Sequence, residues 1–288
     1  MADARPGLLS VVATPIGNLG DLSPRAVQVL AAADTVLCED TRHTGQLLRH
    51  LGLDKHTESL HAHNEHDRVD GLVERLRNGA QLALVSDAGT PCLSDPGALL
   101  VDAAHGAGIA VQTVAGPFAA AAALAASGLT ALPFAFWGFF AKKSGQRQAD
   151  LQRQLRPGPE GPMTHAFYVP GRDLVEVLAD VATVVPDSRV CVARELTKVH
   201  ESYLRGTANQ VAARLLPEQL RGEAVLLVEI AAELQPAVAL DVAELVRQAK
   251  TGGHDRKQAL AALQRKTGLS RNALYALWLA ADTPGEHP

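Results

Sequence analysis

The stretch that decides the fold is residues 86–97, which have the sequence SDAGTPCLSDPG. The apolar run at residues 81–85 before it is typical of a buried strand, and the apolar periodic run at residues 98–105 after it predicts a helix. A loop of small residues at the carboxyl end of a parallel strand is where an α/β sheet binds its ligand. The loop lacks the lysine of a phosphate-binding P-loop, and the chain lacks Gly-x-Gly-x-x-Gly, which argues against a nucleoside triphosphate or a dinucleotide.

Composition and length favour a globular, cytoplasmic protein. The 288 residues suffice for two domains, and 47% apolar with 20% charged residues are typical of soluble proteins. The amino terminus shows no cationic region followed by an apolar segment, so we expect no signal peptide. The small apolar stretch at residues 118–126 is too short to span a bilayer. Without a CxxC pair, the three cysteines are expected to be reduced, buried small hydrophobes: Cys38, Cys92 and Cys191.

Positive charge is concentrated in two islands, although the net charge is −4. Residues 142–156 carry an excess of four positive charges, and residues 247–272 carry an excess of six. Two basic islands on an acidic body are typical of a polyanion-binding protein with a separate catalytic core. The alternative is that both islands are solvated helix faces.

Strand-like and helix-like runs alternate along the chain, which predicts an α/β fold. A change of composition at residues 130–140 indicates a boundary between an α/β domain at 1–130 and a second at 131–235. Residues 236–288 show only helical periodicity and are predicted to form a small helix-turn-helix-like domain that binds RNA. Strands are predicted at 8–13, 35–38, 81–85, 110–114, 134–137, 166–169, 189–193, 202–205 and 224–229. Helices are predicted at 23–32, 43–51, 65–77, 98–105, 118–127, 173–182, 208–216, 255–267 and 271–280.

Polar clusters follow five of the predicted strands, at residues 14–18, 39–42, 86–95, 116–117 and 194–198. If these strands are parallel neighbours, their loops converge on one edge of the sheet. One such cluster could be a surface ion pair, for example between Glu39 and Arg42. Five of them together predict a binding site.

Six motifs in these segments resemble the successive signatures of one family. They are TPIGN at 14–18, CEDTRHT at 38–44, HNE at 63–65, SDAGTP at 86–91, SDPG at 94–97 and RELTK at 194–198. Over residues 8–230 the chain resembles the small-subunit ribosomal RNA cytidine 2′-O-methyltransferases, the methyltransferase I branch of the tetrapyrrole methylase superfamily. The resemblance implies two α/β domains with S-adenosylmethionine in the cleft between them, a small C-terminal helical domain and a homodimer. It also implies methylation of a cytidine ribose in 16S rRNA of the small ribosomal subunit, at cytidine 1402 in rRNA numbering.

The same resemblance implies where the cofactor binds. The backbone of residues 87–89 would contact its amino-acid end, and residues of the second domain would surround the adenosine. Carried over by position, the cofactor-binding residues are Ser86, Asp87, Ala88, Gly89, Thr90, Ser94, Pro117, Ala119, Tyr168, Val169, Leu196 and Ala224.

Methyl transfer to a ribose hydroxyl needs few catalytic groups from the protein. Positioning supplies most of the acceleration, and a base that takes the hydroxyl proton adds a modest factor. The candidates for this base, or for orienting the hydroxyl, are Asp40, Asp95, Glu195 and Lys198. The candidate substrate-binding residues are Asn18, Arg42, Asn64, Lys142, Lys143, Arg256, Lys257 and Arg271. No metal is expected, because the histidines at positions 61, 63 and 66 lack a clear fourth ligand.

Two alternatives stay open, and a departure from the family pattern motivates the first of them. After Phe167 and Tyr168 the chain has VPGR at residues 169–172, where the family usually has a Glu-Ser-Pro-His-like stretch. A non-catalytic ribosome assembly factor on the same fold is therefore one alternative. The other is a small-molecule methyltransferase of tetrapyrrole or diphthine type, against which the two basic islands argue.

Overall fold

The structure is a computed structural model that describes residues 5–159, 161–231, 242–251, 256–267, 274–275 and 277–278. The chain divides into two compact units, residues 1–231 and residues 232–288. The first unit contains two five-stranded sheets, one built from residues 8–114 and the other from residues 134–230. The domain boundary drawn at residue 130 stays a prediction.

The first sheet is entirely parallel, with the strand order β3-β2-β4-β1-β5. Its strands are β1 (Leu8–Val12), β2 (Thr35–Cys38), β3 (Thr57–Ser59), β4 (Gln81–Val85) and β5 (Ala110–Val114). The helices of this half are α1 (Pro24–Ala32), α2 (Thr41–His50), α3 (Glu65–Arg77) and α4 (Ala98–Gly106). The predicted strands and helices of this half are confirmed within about two residues. The polar strand β3 was not predicted.

The connections of the first sheet create a crevice between β1 and β4. The chain leaves β1 toward β2 on one side and leaves β4 toward β5 on the other. The loops after β1 and β4 therefore lie next to each other where the strand order reverses, which is where open α/β sheets bind ligands. Both faces of the sheet are covered by apolar cores, one containing Leu72 of α3 and Leu100 of α4 and the other containing Leu30 of α1 and Leu48 of α2.

The second sheet is mostly antiparallel and has the order β6-β7-β10-β8-β9. Its strands are β6 (Phe134–Phe139), β7 (Met163–Pro170), β8 (Arg189–Arg194), β9 (Ser202–Gly206) and β10 (Glu223–Ile230). Its helices are α5 (Ala119–Ser127), α6 (Ser144–Gln154), α7 (Leu174–Val184) and α8 (Ala208–Ala212). Helix α5 packs on one face, and α6, α7 and α8 pack on the other. Only β6 and β7 run parallel.

Two expectations need correction, and one helix was not predicted. Helix α8 ends at Ala212 rather than residue 216, because Pro217 opens a 3-10 turn and Leu216 before it is extended, with ψ of 150°. Helix α6 was not predicted, because its sequence is mostly polar. Cys38 in β2 and Cys191 in β8 are buried free thiols as expected, whereas Cys92 is only partly buried.

The second unit contains α9 (Val242–Thr251) and α10 (Arg256–Thr267), together with helical residues at 274–275 and 277–278. Its core includes Val246, Leu260, Leu263 and Trp278. The predicted helix at 271–280 lies largely outside the described residues, as does Arg271. No helix in the described ranges is long and apolar enough to cross a membrane.

Candidate active site

The loops after β1 and β4 are joined by a short backbone bridge. The N–H of Thr14 donates to Gly89 O at 2.8 Å, and the N–H of Gly89 donates to Thr14 O at 3.1 Å. The Ser86 hydroxyl also donates to Gly89 O, at 3.0 Å. The backbone of Gly89 is therefore fully engaged and shapes the loop, while no hydrogen bond among the described residues engages the N–H of Asp87 or Ala88. These two amides are available to a ligand.

The far end of the 86–97 loop is held by Glu65, a residue to which sequence reasoning gave no role. Its Oε1 atom accepts hydrogen bonds from the N–H groups of Gly97, Leu99 and Leu100 at 2.9, 3.0 and 3.3 Å. Glu65 is 6% exposed. A carboxylate at a helix N-terminus satisfies unpaired amides and complements the helix dipole. Its place in the HNE motif was the only signal in the sequence.

Replacing Glu65 by alanine is expected to lower the free energy of unfolding by about 1–3 kcal/mol, because two buried N–H groups and one partly buried N–H group lose their acceptor. Glu65→Gln keeps a carbonyl oxygen at the same position and should lose less. Urea unfolding of both variants measures the effect. Equal stability of Glu65→Ala and the parent chain would contradict this role.

A cavity of about 310 Å³, here called the central cleft, is lined by residues of both sheets. Of the expected cofactor-binding residues, Ala88, Ala119, Tyr168, Leu196 and Ala224 line it. Glu223, which the resemblance also placed around the adenosine, lines it too, as do the candidate bases Glu195 and Lys198. Sequence reasoning did not select the remaining lining residues Ile16, Ala193 and Val225. The polar loops predicted to meet at one sheet edge therefore come from two sheets, because β8 belongs to the antiparallel one.

The remaining expected cofactor residues lie around the central cleft rather than on its wall. Val169 is fully buried in the core on the opposite face of β7 from Tyr168, so its side chain cannot reach the cleft. Thr90 donates to Pro117 O at 2.9 Å and so joins the loops after β4 and β5. Ser94 approaches the second sheet, since a Cβ on Gly138 would lie 2.6 Å from its hydroxyl oxygen.

A second cavity of about 510 Å³, here called the side cavity, adjoins the central cleft. Both cavities are lined by Ile16, Ala88 and Lys198. Helix α2 contributes one face to the side cavity, and Asp87 lines it from the loop after β4. The residues from α2 are His43, Gln46, Leu47 and His50. Two contiguous cavities can hold a donor and an acceptor next to each other.

The four candidate bases differ in their surroundings. Hydrogen bonds from Arg42 lower the pKa of Asp40 to about 2, and Asp40 also caps α2. Burial, followed by the charges of Glu39, Asp87 and Glu223, raises the pKa of Asp95 to about 6. A carboxylate with a pKa near 6 accepts a proton far more readily than one near 2. Of these two carboxylates, Asp95 is therefore the stronger base, and neither of them lines the central cleft or the side cavity.

Glu195 and Lys198 form an ion pair of 3.2 Å on the wall of the central cleft. Glu195 and Thr197 have positive φ values of 50° and 65°, which indicates local backbone strain. The loop lies close to the first sheet, because a Cβ on Gly17 would come within 2.8 Å of the Lys198 side chain. Both side chains are therefore placed to contact a ligand.

The candidate substrate residues lie at separate places. Asn18 and Asn64 serve local structure, since Asn18 accepts from the N–H of Gly20 and Asn64 accepts from the N–H of His61. The exposed Arg42 pairs with Asp40 at 3.1 Å. Lys142 and Lys143 precede α6, and Arg256 and Lys257 are exposed on α10 of the second unit.

The first basic island offers fewer surface cations than its sequence suggests. Arg147 is 3% exposed and pairs with buried Asp180 at 2.5 Å. Arg153 pairs with Asp150 at 2.8 Å on the surface. A charge count could not reveal these pairs, because the partner of Arg147 is 33 residues away.

In the part of the chain that the structure describes, no group of three or more histidine, cysteine, aspartate or glutamate residues could hold a metal ion. The rings of His61 and His63 lie 6.0 Å apart in an edge-on arrangement.

The two sheets, the central cleft and the small-residue loop together define a class of protein. The chain belongs to the family of tetrapyrrole (corrin/porphyrin) methylases, whose model matches residues 8–212. The expected fold class is thereby confirmed. The chain is also similar, at 18% identity, to a solved structure of uroporphyrin-III C-methyl transferase from Thermus thermophilus complexed with S-adenyl homocysteine. The TM-score is 0.53, with 79% of this chain and 97% of that chain covered. That likeness concerns the fold alone.

Curated relatives match over almost the whole chain. A protein of Xylella fastidiosa (strain Temecula1 / ATCC 700964) named "Ribosomal RNA small subunit methyltransferase I" is 43% identical, with 94% of this chain and 98% of the relative covered. A protein of the same name from Synechocystis sp. (strain ATCC 27184 / PCC 6803 / Kazusa) is 40% identical, with 97% of this chain and all of the relative covered. Both relatives therefore include a segment corresponding to the second unit.

Proposed function

We propose that the protein transfers a methyl group from S-adenosylmethionine to a cytidine 2′-hydroxyl of 16S rRNA in the small ribosomal subunit. The observation that carries the proposal is the 40–43% identity, over nearly full length, to relatives named ribosomal RNA small subunit methyltransferase I. The contiguous central cleft and side cavity support it, because a methyl donor and a ribose must meet there. Position 1402 as the target rests on the family resemblance.

The residues of the central cleft fit the cofactor. The unengaged amides of Asp87 and Ala88 can bind its carboxylate, and Ala119 and Ala224 leave room for it. The ring of Tyr168 and the side chain of Val225 offer apolar surface to the adenine. When bound, S-adenosylmethionine supplies an electrophilic methyl group on a sulfonium.

The chain's own task is to orient the ribose and to accept its proton. We assign the proton to Asp95, because it interacts electrostatically with Tyr168 and Glu223 of the cleft wall and its pKa of about 6 suits a base at neutral pH. The ammonium of Lys198 lies where both cavities meet and can orient the acceptor. Glu195 holds Lys198 at 3.2 Å and is a positioning residue in this scheme.

Methyl transfer from labelled S-adenosylmethionine to purified small subunits that lack the modification tests the proposal. The label is expected in an alkali-resistant dinucleotide, because a 2′-O-methyl group blocks hydrolysis of the adjacent phosphodiester. Label on the base would overturn the 2′-O assignment. Complete absence of transfer would instead favour the non-catalytic assembly factor, and transfer to a tetrapyrrole or a diphthine precursor would favour the small-molecule enzyme.

We further propose that the second unit binds RNA. Removal of residues 232–288 is expected to weaken binding to the small subunit and to flatten the dependence of affinity on salt, because cations that contact phosphates release counterions. Affinity for S-adenosylmethionine should not change.

The double variant Arg256→Gln with Lys257→Gln provides a milder test in the full chain, since both residues are exposed on α10. For this variant, the slope of log affinity against log salt concentration should fall in magnitude by roughly one unit per removed phosphate contact. Equal methylation of subunits by the truncated and full chains, at low concentration and moderate salt, would assign the second unit to folding or dimerisation.

A cytoplasmic homodimer without a metal is part of the same proposal. The edge strand β6 exposes Trp137 and Phe139, which are 41% and 49% accessible. A second copy of the chain could cover this apolar surface. Light scattering of the purified protein distinguishes a dimer from a monomer.

A further inference from the structure

One buried cation of the second sheet has almost no hydrogen-bond partner. Arg194, the last residue of β8, is 6% exposed. A guanidinium carries five N–H donors. The described residues give Arg194 one hydrogen bond, from Nη2 to Arg221 O at 3.4 Å, and its buried Nε has no partner. Burying a charge with so few partners is costly, so an acceptor from outside the protein would stabilise this arrangement.

Arg194 lines a pocket of about 670 Å³ that is separate from the two cavities of the active site. We call it the Arg194 pocket. Arg221 adds a second guanidinium and His200 an imidazole, and Glu195, Glu201 and Glu218 are its acidic lining residues. Glu195 is paired with Lys198, and Glu201 accepts from the N–H of Thr197 and the hydroxyl of Tyr203. Glu218 is exposed at the start of a 3-10 turn.

The segment 195–201 separates the Arg194 pocket from the active site. Glu195 lines both the pocket and the central cleft, and Lys198 faces the cleft and the side cavity. Val199 and His200 follow on the pocket side. Val199 is 95% exposed, so an apolar side chain stands uncovered beside two cations. A strand of RNA crossing this segment would cover Val199 and reach both cavities.

We propose that the Arg194 pocket binds a phosphodiester of the RNA strand next to the target nucleotide, with the Arg194 guanidinium as its main donor. The inference rests on the proposed function and adds a substrate subsite to it. A phosphate oxyanion matches the fork of a guanidinium and supplies the acceptors that Arg194 lacks. Anchoring one flanking phosphate would fix the register in which the ribose enters the active site.

Arg194→Met provides the sharpest test, because it replaces the unpartnered charge by an apolar side chain of similar length. Without RNA, the variant should melt at a temperature equal to or above that of the parent chain. Its dissociation constant for purified small subunits should rise about tenfold, which corresponds to the loss of one charge-assisted hydrogen bond. Its affinity for S-adenosylmethionine should be unchanged, and KM for subunits should rise with kcat retained.

Arg221→Ala tests the same pocket at an exposed position, so it remains informative if Arg194→Met fails to fold. Arg77→Ala on α3 is the matched control for the loss of one surface charge. Binding is measured by filter retention without a methyl donor. If subunits bind but are not methylated, the result therefore contradicts the proposed function and leaves the inferred phosphate subsite standing.

Three results would overturn the inference. A lower melting temperature of Arg194→Met with unchanged subunit binding would make Arg194 a purely structural residue, and Arg221→Ala binding as tightly as Arg77→Ala would exclude the pocket. Melting in the presence of inorganic phosphate tests whether the Arg194 pocket binds a free anion instead of RNA. If phosphate raises the melting temperature of the parent chain but not of Arg194→Met, while both bind subunits equally, the pocket serves free phosphate and the RNA assignment is wrong.

Discussion

Gly89→Val is expected to abolish binding of S-adenosylmethionine while the two sheets stay folded. Gly89 has a φ of +84°, which a β-branched residue adopts only with strain. Its Cβ would lie 3.4 Å from Ile16 Cγ2 and 3.6 Å from Pro117 O, so the valine methyls would press on two loops of the central cleft. The paired hydrogen bonds to Thr14 would then move, and with them the free amides of Asp87 and Ala88.

Titration calorimetry measures this loss directly. Gly108→Val is the matched control, because Gly108 has a φ of +69° with open space around it and lies after α4, away from the cleft. The control should lose stability for the same reason, a β-branched residue at positive φ, and should keep its affinity for S-adenosylmethionine. Unchanged affinity in Gly89→Val would remove the 86–97 loop from the cofactor site.

Asp95→Asn is expected to lower kcat by about 10²–10⁴-fold, because an amide cannot take the ribose proton. With a pKa of about 6, Asp95 is ionised and competent above that pH. The rate of the parent enzyme should therefore fall as the pH drops through about 6, and the variant should lack this inflection. Single-turnover rates between pH 5 and 9 measure both effects. Asp102→Asn, at an exposed position of α4, is the control.

The same shift predicts a gain in stability for Asp95→Asn. The pKa of Asp95 in the folded chain lies above its usual value of 3.8, so folding favours the protonated form. Stability should consequently fall as the pH rises from about 4 through about 6. Above pH 6 the variant, which carries no charge there, should melt at a higher temperature than the parent. A rate loss with a lower melting temperature would indicate a structural role for Asp95 instead of a base.

The sequence was most informative about the first sheet. Apolar runs followed by small polar loops predicted β1, β2, β4 and β5, and the loop after β4 adjoins the central cleft as expected. The short strand β3, TES, was missed because three polar residues carry no apolar signal. Helix α6 was missed for a similar reason, since its buried residues are Arg147 and Leu151 in an otherwise polar segment.

The arrangement of the site depends on contacts between residues that are distant in sequence. A polar cluster after a strand looks the same whether the strand is parallel or antiparallel, so residues 194–198 were expected at the edge of a common sheet. The difference between Asp40 and Asp95 also depends on neighbours distant in sequence, such as Glu223 beside Asp95. The lack of a partner for Arg194 Nε has no signature in the RELTK motif, because it depends on which groups of residues 200–222 lie within reach of that atom.

The free thiols give the chain three native chemical reporters. Burial raises the pKa of Cys38, and it raises the pKa of Cys92 and Cys191 to about 11. Alkylating reagents attack the thiolate, so at neutral pH the two buried thiols, Cys38 and Cys191, react only when a local opening event exposes the sulfur. Cys38 reports on the first sheet and Cys191 on the second. Cys92 lies in the 86–97 loop, so a ligand that rigidifies this loop slows alkylation there while the other two labelling rates stay constant.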